Sequence, residues 1–329
     1  MLRRDLLKLG LAAGGVMTLR HGMEAAAADS TTRVVVIKTE DRREGIRRAL
    51  KLFGATGLER RHVVVKPNFN SADPFPGSTH PDALEELVGW LGSAGASRVT
   101  VADRSGMGDT KAVMQDKGVF TQSKKLGYAT QVFDELPARE WIAHPLPGSS
   151  WRRGVLFPRL LEEAEAVVST CCLKTHRFGG RFTLSLKNSV GAVAKYGPDG
   201  YNYMSELHGG AAQRKMIAEI NQLYRPALVL LDGMEAFVSG GPESGGKAAP
   251  GVIIVGTDRV AVDAAGVAVL RLYGVTGEVA RGPIWGQEQI ARAAELGLGV
   301  KGPDQIELVT DDRAGQDFLS RFRPALLKG

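Results

Sequence analysis

From Arg33 onward the chain repeats one unit: a short run of β-branched and apolar residues, a polar turn, then apolar positions spaced three and four apart. "RVVVIKT" predicts a strand, "DRREGIRRALKLFG" a helix opened by an acid and stopped at Gly54, and "HVVVKPNF" a second strand. "HPDALEELVGWLGSAG" predicts a helix with Pro81 in its first turn and Gly95 past its end. "RVTVADR" reads as a third strand, "DTKAVMQDKGVFTQSKKLG" as one helix ending at Gly127, and "ATQVFDE" as a fourth strand. Prolines, Trp141 and Trp151 break the rhythm from Pro137 to Pro158. It resumes with "AEAVVSTCCLKT" as strand, a helix near Lys187 to Lys195, "HGGAAQRKMIAEINQLY" as helix, and "PALVLLDG" and "GVIIVGTD" as strands. The helix "RVAVDAAGVAVLRLYG" and a late strand "QIELVT" complete it. Strands alternating with helices specify an α/β fold, a mostly parallel, doubly wound (Rossmann-like) sheet with helices on both faces, plus an irregular insertion around 137–158.

Open parallel sheets bind ligands beyond the carboxyl ends of their strands, so that fold makes strand exits the places to look. Lys66, Asn68 and Asn70 follow the second strand, Asp103 the third, Lys174 and His176 follow "AVVSTCCL", Asp232 follows "ALVLL", and Asp258 follows "VIIVGT". Polar residues at such points also serve as helix caps and turn formers, the plain reading of Asp258. Lysine caps no helix N-terminus and the helix dipole disfavours it there, so Lys66 and Lys174 point to a bound anion. Thr183 and Lys187, four apart, share a side whether "FTLSLKNSVG" is strand or helix.

The cysteines are Cys171 and Cys172, adjacent within an apolar strand, so they point to opposite faces and read as small core residues. A disulfide between chain neighbours is geometrically disfavoured, and zinc held by both sulfurs is rejected. "GPESGGKA" fits a phosphate loop except that Ala248 stands where a magnesium-binding hydroxyl belongs. "SGMGDTK" has Lys111 in place of a third glycine. Both read as tight turns or anion-cradling nests, and neither ATP nor NAD is expected.

The first residues, "LRRDLLKLGLAAGGVMTL", are built as an address. Arg3 and Arg4, the apolar run and the small residues of "EAAAADS" resemble a twin-arginine export signal, which implies 1–28 as a signal peptide and 29–329 as a single α/β domain, with a division into two subdomains near 137–158 kept open. The run is too short for a stable membrane span after cleavage, since a span needs about 20 apolar residues. The partner implied is the twin-arginine export machinery, and the location periplasmic or extracellular. The 329 residues carry 42 basic and 36 acidic side chains; loss of the segment would leave 38 and 34, an excess of about +4. No basic stripe is interleaved with aromatics, so nucleic acid is not an expected partner.

"VVVKPNFN", "THPDALEELVGWLGSAGASRVTVAD", "CCLKTH", "LSLKNSVGAVAKYG", "DGMEAFVSGGPESGG" and "GTDRVAVDAAG" occur in an order that resembles the domain of unknown function 362 family, from about Val34 to about Tyr273. The resemblance implies that Lys66, Asn68, His80, Asp103, Lys174, His176, Lys187, Asn188, Asp232 and Glu243 fall in shared motifs. Members of that family often carry iron–sulfur modules on clustered cysteines. The adjacent pair here implies no such cluster.

Two functions fit these residues. In the first, an exported enzyme acts on a small anionic substrate: His176, Lys174 and Asp232 form the catalytic set, with His176 as acid or base, and Lys66, Asn68, Thr183, Lys187 and Asn188 bind substrate. Asp103, Asp232 and Glu243, with Glu235 as a further candidate, polarise the site or hold a divalent cation through oxygen ligands. In the second, a non-catalytic periplasmic binding or accessory protein uses the same pocket. His80 either joins the acids or simply opens its helix.

Overall fold

The computed structural model describes residues 31–54, 57–179 and 181–327; the expected export segment with Arg3 and Arg4 lies outside them. Among the described residues there are twelve strands: β1 (Thr32–Lys38), β2 (His62–Lys66), β3 (Arg98–Asp103), β4 (Ala129–Val132), β5 (Trp141–His144) and β6 (Val155–Pro158), then β7 (Ala166–His176), β8 (Arg181–Thr183), β9 (Leu228–Phe237), β10 (Lys247–Ala248), β11 (Val252–Gly256) and β12 (Ile306–Val309). The main sheet runs β12-β1-β11-β9-β7-β2-β3-β4, with β8 added to β7 and β10 to β9. Every pair along that path is parallel except those made by β11, which runs against both β1 and β9. The α/β expectation of a mostly parallel sheet flanked on both faces therefore holds.

Alternation along the strands explains why both faces are covered. In β1, Val34 and Val36 enter one apolar layer, with the helix Arg259–Leu272, while Val35 and Ile37 enter the other, with the helices Arg42–Phe53 and Pro81–Ser93. The helix Arg259–Leu272 is buried from Arg259 to Leu270, and Phe318 and Phe322 of the helix Arg313–Leu327 belong to the same apolar layer. The insertion holds the antiparallel β5–β6 hairpin, and its Trp151 donates an indole N–H to Met216 O at 3.1 Å. No helix among the described residues is long and apolar enough to cross a membrane.

Several elements differ from the expected ones. The helix expected from Asp109 to Gly127 is two, Thr110–Asp116 and Val119–Leu126, because Gly118 between them adopts a left-handed conformation with φ of 73°. The helix expected from His208 begins earlier, as Tyr203–His208, stops at the glycine pair 209–210 and restarts as Gln213–Ile220. The helix near Lys187 is the single turn Ser185–Asn188 followed by a 3₁₀ turn to Ala192. "FDE" leaves the fourth strand as a 3₁₀ turn.

From β2 the chain continues to β3 and β4 on one side, whereas from β7 it continues to β9 on the other. The direction of winding thus reverses between β2 and β7, and a crevice opens at such a reversal beyond the carboxyl ends of the strands. Val63 to Lys66 of β2 pair with Ala166 to Ser169 of β7, so β7 runs seven residues further, and Lys174 and His176 rise above the exit of β2.

Candidate active site

A cleft of about 390 Å³, counted to its open mouth, occupies that crevice. Its wall takes Lys66 from the end of β2, Asn68, Phe69 and Asn70 from the turn that follows, and Asp103, Arg104 and Gly106 from the end of β3. Lys174 and His176 come from β7, Thr183 from β8, and Lys187 and Asn188 from the turn Ser185–Asn188. Lys174 and Thr183 are direct cross-strand partners in the β7–β8 hairpin, which carries both to one rim. Segments far apart in sequence therefore converge, and seven of the eight residues expected to act on or bind a substrate face the same hollow. Asp232 does not.

Asp232 lies mid-strand, because β9 runs on to Phe237 and does not end at "ALVLL". It also sits on the far side of β7 from the crevice. Its carboxylate takes the Arg42 Nε–H at 2.9 Å and the Met234 amide at 3.1 Å. Burial pushes the acid up against the pull of Arg42. The structure thus places Asp232, expected in the catalytic set, in an internal ion pair with Arg42 and outside the residues that line the cleft.

The expected metal acids do not share a site either. Asp103 faces Lys66, Asp232 faces Arg42, and Glu243 pairs with Arg177. Glu235 is bridged to Lys247 at 2.9 Å. No group of three or more His, Cys, Asp or Glu arranged to hold a metal occurs among the described residues. His80 opens the helix Pro81–Ser93, its Nδ1 accepting the Asp82 amide at 3.1 Å. Asp258 caps the helix Arg259–Leu272; because β11 is reversed, this strand exit lies at the opposite edge of the sheet. Cys171 and Cys172 are free and buried.

Within the cleft the cations differ in how much of their donor capacity the protein uses. Lys66 meets three acceptors: Asp103 Oδ1 at 2.5 Å, Pro67 O at 2.8 Å and, at the limit of contact, Asn188 Oδ1 at 3.4 Å. Its ammonium is saturated. Asp103 in turn accepts the amides of Phe69 and Arg104 at 2.8 and 2.7 Å, and burial raises its pKa against these groups and Lys66. Asn188 donates to Lys66 O, Ser169 Oγ and Thr170 O, which ties the exits of β2 and β7 together. Gly191 covers the pair so closely that a Cβ there would lie 2.7 Å from Lys66 Nζ and 2.9 Å from Asp103 Oδ1. Lys66, Asp103 and Asn188 form the floor that fixes the crevice.

The upper wall is left incomplete. Lys174 donates to Gly77 O at 2.5 Å and Pro242 O at 3.2 Å, two acceptors for three N–H groups, and burial lowers its pKa. The loop "GPESGG" supplies that Pro242 carbonyl and so completes a lysine site. Arg104, 2 % exposed, donates to Ser105 O and Val190 O, while its Nε–H has no partner. Lys187 is half-buried, with no acceptor or ion-pair partner among the described residues; burial, then the charges of Lys174 and Arg104, bring its pKa down to about 7. His176 Nδ1 is unpaired, and burial followed by Lys187 and Lys174 holds the ring well below its usual pKa, hence neutral. Thr183 Oγ1 and one amide atom each of Asn68 and Asn70 are also buried without partners. Buried polar groups are nearly always paired, so a cluster of unpaired ones around one hollow marks a place made for a polar ligand.

Sequence reasoning missed Arg104, although it follows Asp103 at a strand exit and the same rule would have found it. It also missed Asp263, which lies outside the cleft and accepts the amides of Ser185 at 2.7 Å and Leu186 at 3.2 Å, fixing the turn that carries Lys187 and Asn188. The signal was a lone acid inside the apolar run "VAVDAAGVAVL".

The family model for "Domain of unknown function (DUF362)" matches residues 63–268, more than half of the chain, and the protein belongs to that family. Comparison with curated proteins gives no match. Two solved structures are similar in part: the lactate racemase apoprotein from Thermoanaerobacterium thermosaccharolyticum (16 % identity, TM-score 0.41, 62 % of this chain and 50 % of that one) and a protein from Thermotoga maritima (13 %, 0.43, 78 % and 59 %). The matched region thus spans half to about three-fifths of those chains.

Proposed function

We propose that this cleft is the active site of an enzyme that takes a small anionic molecule and exchanges a proton with it. The observation that carries the reading is the charge of the wall: Lys66, Arg104, Lys174 and Lys187 face a hollow whose lining holds one carboxylate, Asp103. That carboxylate is matched to Lys66. Arg104 and Lys174 are left facing a space where only an acceptor from outside can answer their unused donors, and a carboxylate or phosphate does so through charge-assisted hydrogen bonds.

The free N–H groups of Arg104 and Lys174 hold the anion, and the Thr183 hydroxyl and the side-chain amides of Asn68 and Asn70 orient the rest. His176 is the proton acceptor, because a neutral imidazole with an open Nδ1 can take a proton within the cleft. Lys187 is its partner, since an amine with a pKa near 7 exchanges protons at neutral pH. A divalent cation would need oxygen ligands that the three candidate acids do not bring together, so no step is assigned to one. Residues 1–28, as a twin-arginine signal, would place this activity in an exporting compartment.

Calorimetric titration with oxalate, malonate and inorganic phosphate tests the anion site. Binding weakened about tenfold or more by Lys174→Met, as the loss of a charged hydrogen bond predicts, supports it; equal affinity in wild type and variant removes it. For catalysis, solvent deuterium exchange into bound carboxylates should be lost in His176→Ala with affinity kept. Wild-type protein that binds and never exchanges would make this a binding protein.

A further inference from the structure

Lys187 stands apart from the other cations of the cleft. Lys66 is saturated, Lys174 meets two carbonyls, and Arg104 meets two carbonyls and the Met204 sulfur. Lys187 has the cavity in front of it and no acceptor among the described residues. Its neighbours repel its charged form, so the free amine, with its lone pair, is available in the cleft at neutral pH. An anchor for an anion gains from permanent charge, as arginine provides, and from neighbours that keep it charged. The surroundings of Lys187 do the reverse. They suit a nucleophile.

We infer that Lys187 forms a covalent imine with a small carbonyl compound that bears a carboxylate next to the carbonyl, a 2-oxo acid. This rests on the anion-binding reading, because the carboxylate must sit on Arg104 and Lys174 for the adjacent carbonyl to meet the amine. The Lys187 nitrogen adds to the carbonyl carbon and the C=O π pair goes to oxygen; His176 Nδ1 takes one of the two protons of the resulting ammonium and passes it to that oxygen, giving a carbinolamine. The nitrogen lone pair then forms the C=N bond as the C–O bond breaks, and the remaining nitrogen proton, relayed by His176, leaves with the hydroxyl as water. One amine and one carbonyl become one imine and one water, with no oxidant or reductant consumed. Lys187 and His176 line the same cleft, and the charge of Lys187 adds to burial in keeping the imidazole neutral.

Full-length protein incubated with pyruvate and sodium cyanoborohydride at pH 7 should gain one reduced adduct, located on Lys187 by peptide mass mapping. It should accumulate at least about tenfold faster than on any other lysine, because ordinary lysines are almost wholly protonated there. Lys187→Arg, which keeps charge and length, should abolish that adduct while circular dichroism stays unchanged. Adducts spread over surface lysines, or an undiminished single adduct in Lys187→Arg, would overturn the inference. Oxalate separates the two layers, since it offers carboxylates and no ketone. Oxalate bound in the calorimeter with no pyruvate trapped sinks the imine and leaves the anion site standing; neither bound nor trapped sinks both.

Discussion

The single helical turn Ser185–Asn188 separates two polar regions of very different character. On one side is the cleft, where Lys187, Lys174 and Arg104 retain unused donors. On the other, Asp263 accepts the Ser185 and Leu186 amides, and Arg259 lies 3.9 Å over the Tyr224 ring while donating to Asn221. Asn221 also takes the Ser189 hydroxyl at 2.7 Å and returns a bond to Leu186 O. Both regions are rich in buried charge, and both leave donors unpaired, Arg259 Nε and Nη2 among them. In the cleft the unpaired groups line an open hollow. Buried charge by itself therefore does not mark a site; what distinguishes the cleft is that its deficit can be met from outside.

The comparison breaks most sharply at Asp263. Asp263→Ala leaves two buried amides without an acceptor, each worth about 1–3 kcal/mol, so a loss of roughly 3 kcal/mol is expected in urea unfolding, together with loss of the Lys187 adduct as that residue drifts. Asp263→Asn keeps one acceptor and should cost about half of that. A protein that loses stability and keeps the full rate of adduct formation at Lys187 would show that the two regions are independent.

Gly191 allows a more selective test. A methyl there meets the Lys66 ammonium, Asp103 and the Arg104 carbonyl at 2.7, 2.9 and 3.0 Å. Gly191→Ala should weaken anion binding by about tenfold through displaced floor groups, with a stability loss of about 1–3 kcal/mol from overpacking. Gly210→Ala, where an added Cβ meets no atom within 4 Å, is the matched control and should change neither.

How much of this could be read from the chain follows from what each element depends on. β-Branched runs and strand-exit residues are local, so β2, β3 and β7 and the convergence of Lys66, Lys174, His176 and Lys187 were legible. The reversal of β11 was not, because "GVIIVGTD" has the same pattern in either direction; that reversal sends Asp258 to the other edge. Asp232 misled because the strand continues through it, and a strand's end depends on its partner as much as on its own residues. The role of Asn188 was hidden for a similar reason: that it would spend its amide on Lys66 O, Ser169 and Thr170 O depends on which strands become neighbours.

Proton linkage offers a further test, and here the two regions should pull in opposite directions. Burial raises Asp263 from 3.8 to about 7, so the folded protein holds a proton that the unfolded chain releases between those values. Its contribution to stability is complete below pH 3.8 and is lost as pH rises through about 7. Lys187 falls from 10.5 to about 7, so the unfolded chain holds a proton that the folded protein lacks; its contribution is complete above pH 10.5 and is lost as pH falls through about 7. Asp263→Asn should accordingly flatten the decline of stability between pH 4 and 7 and leave the alkaline side unchanged. Lys187→Met should flatten the rise between pH 7 and 10 and leave the acid side unchanged. Urea midpoints at unit pH steps would reveal the pattern, and a variant that alters both limbs would show that the two groups titrate as one.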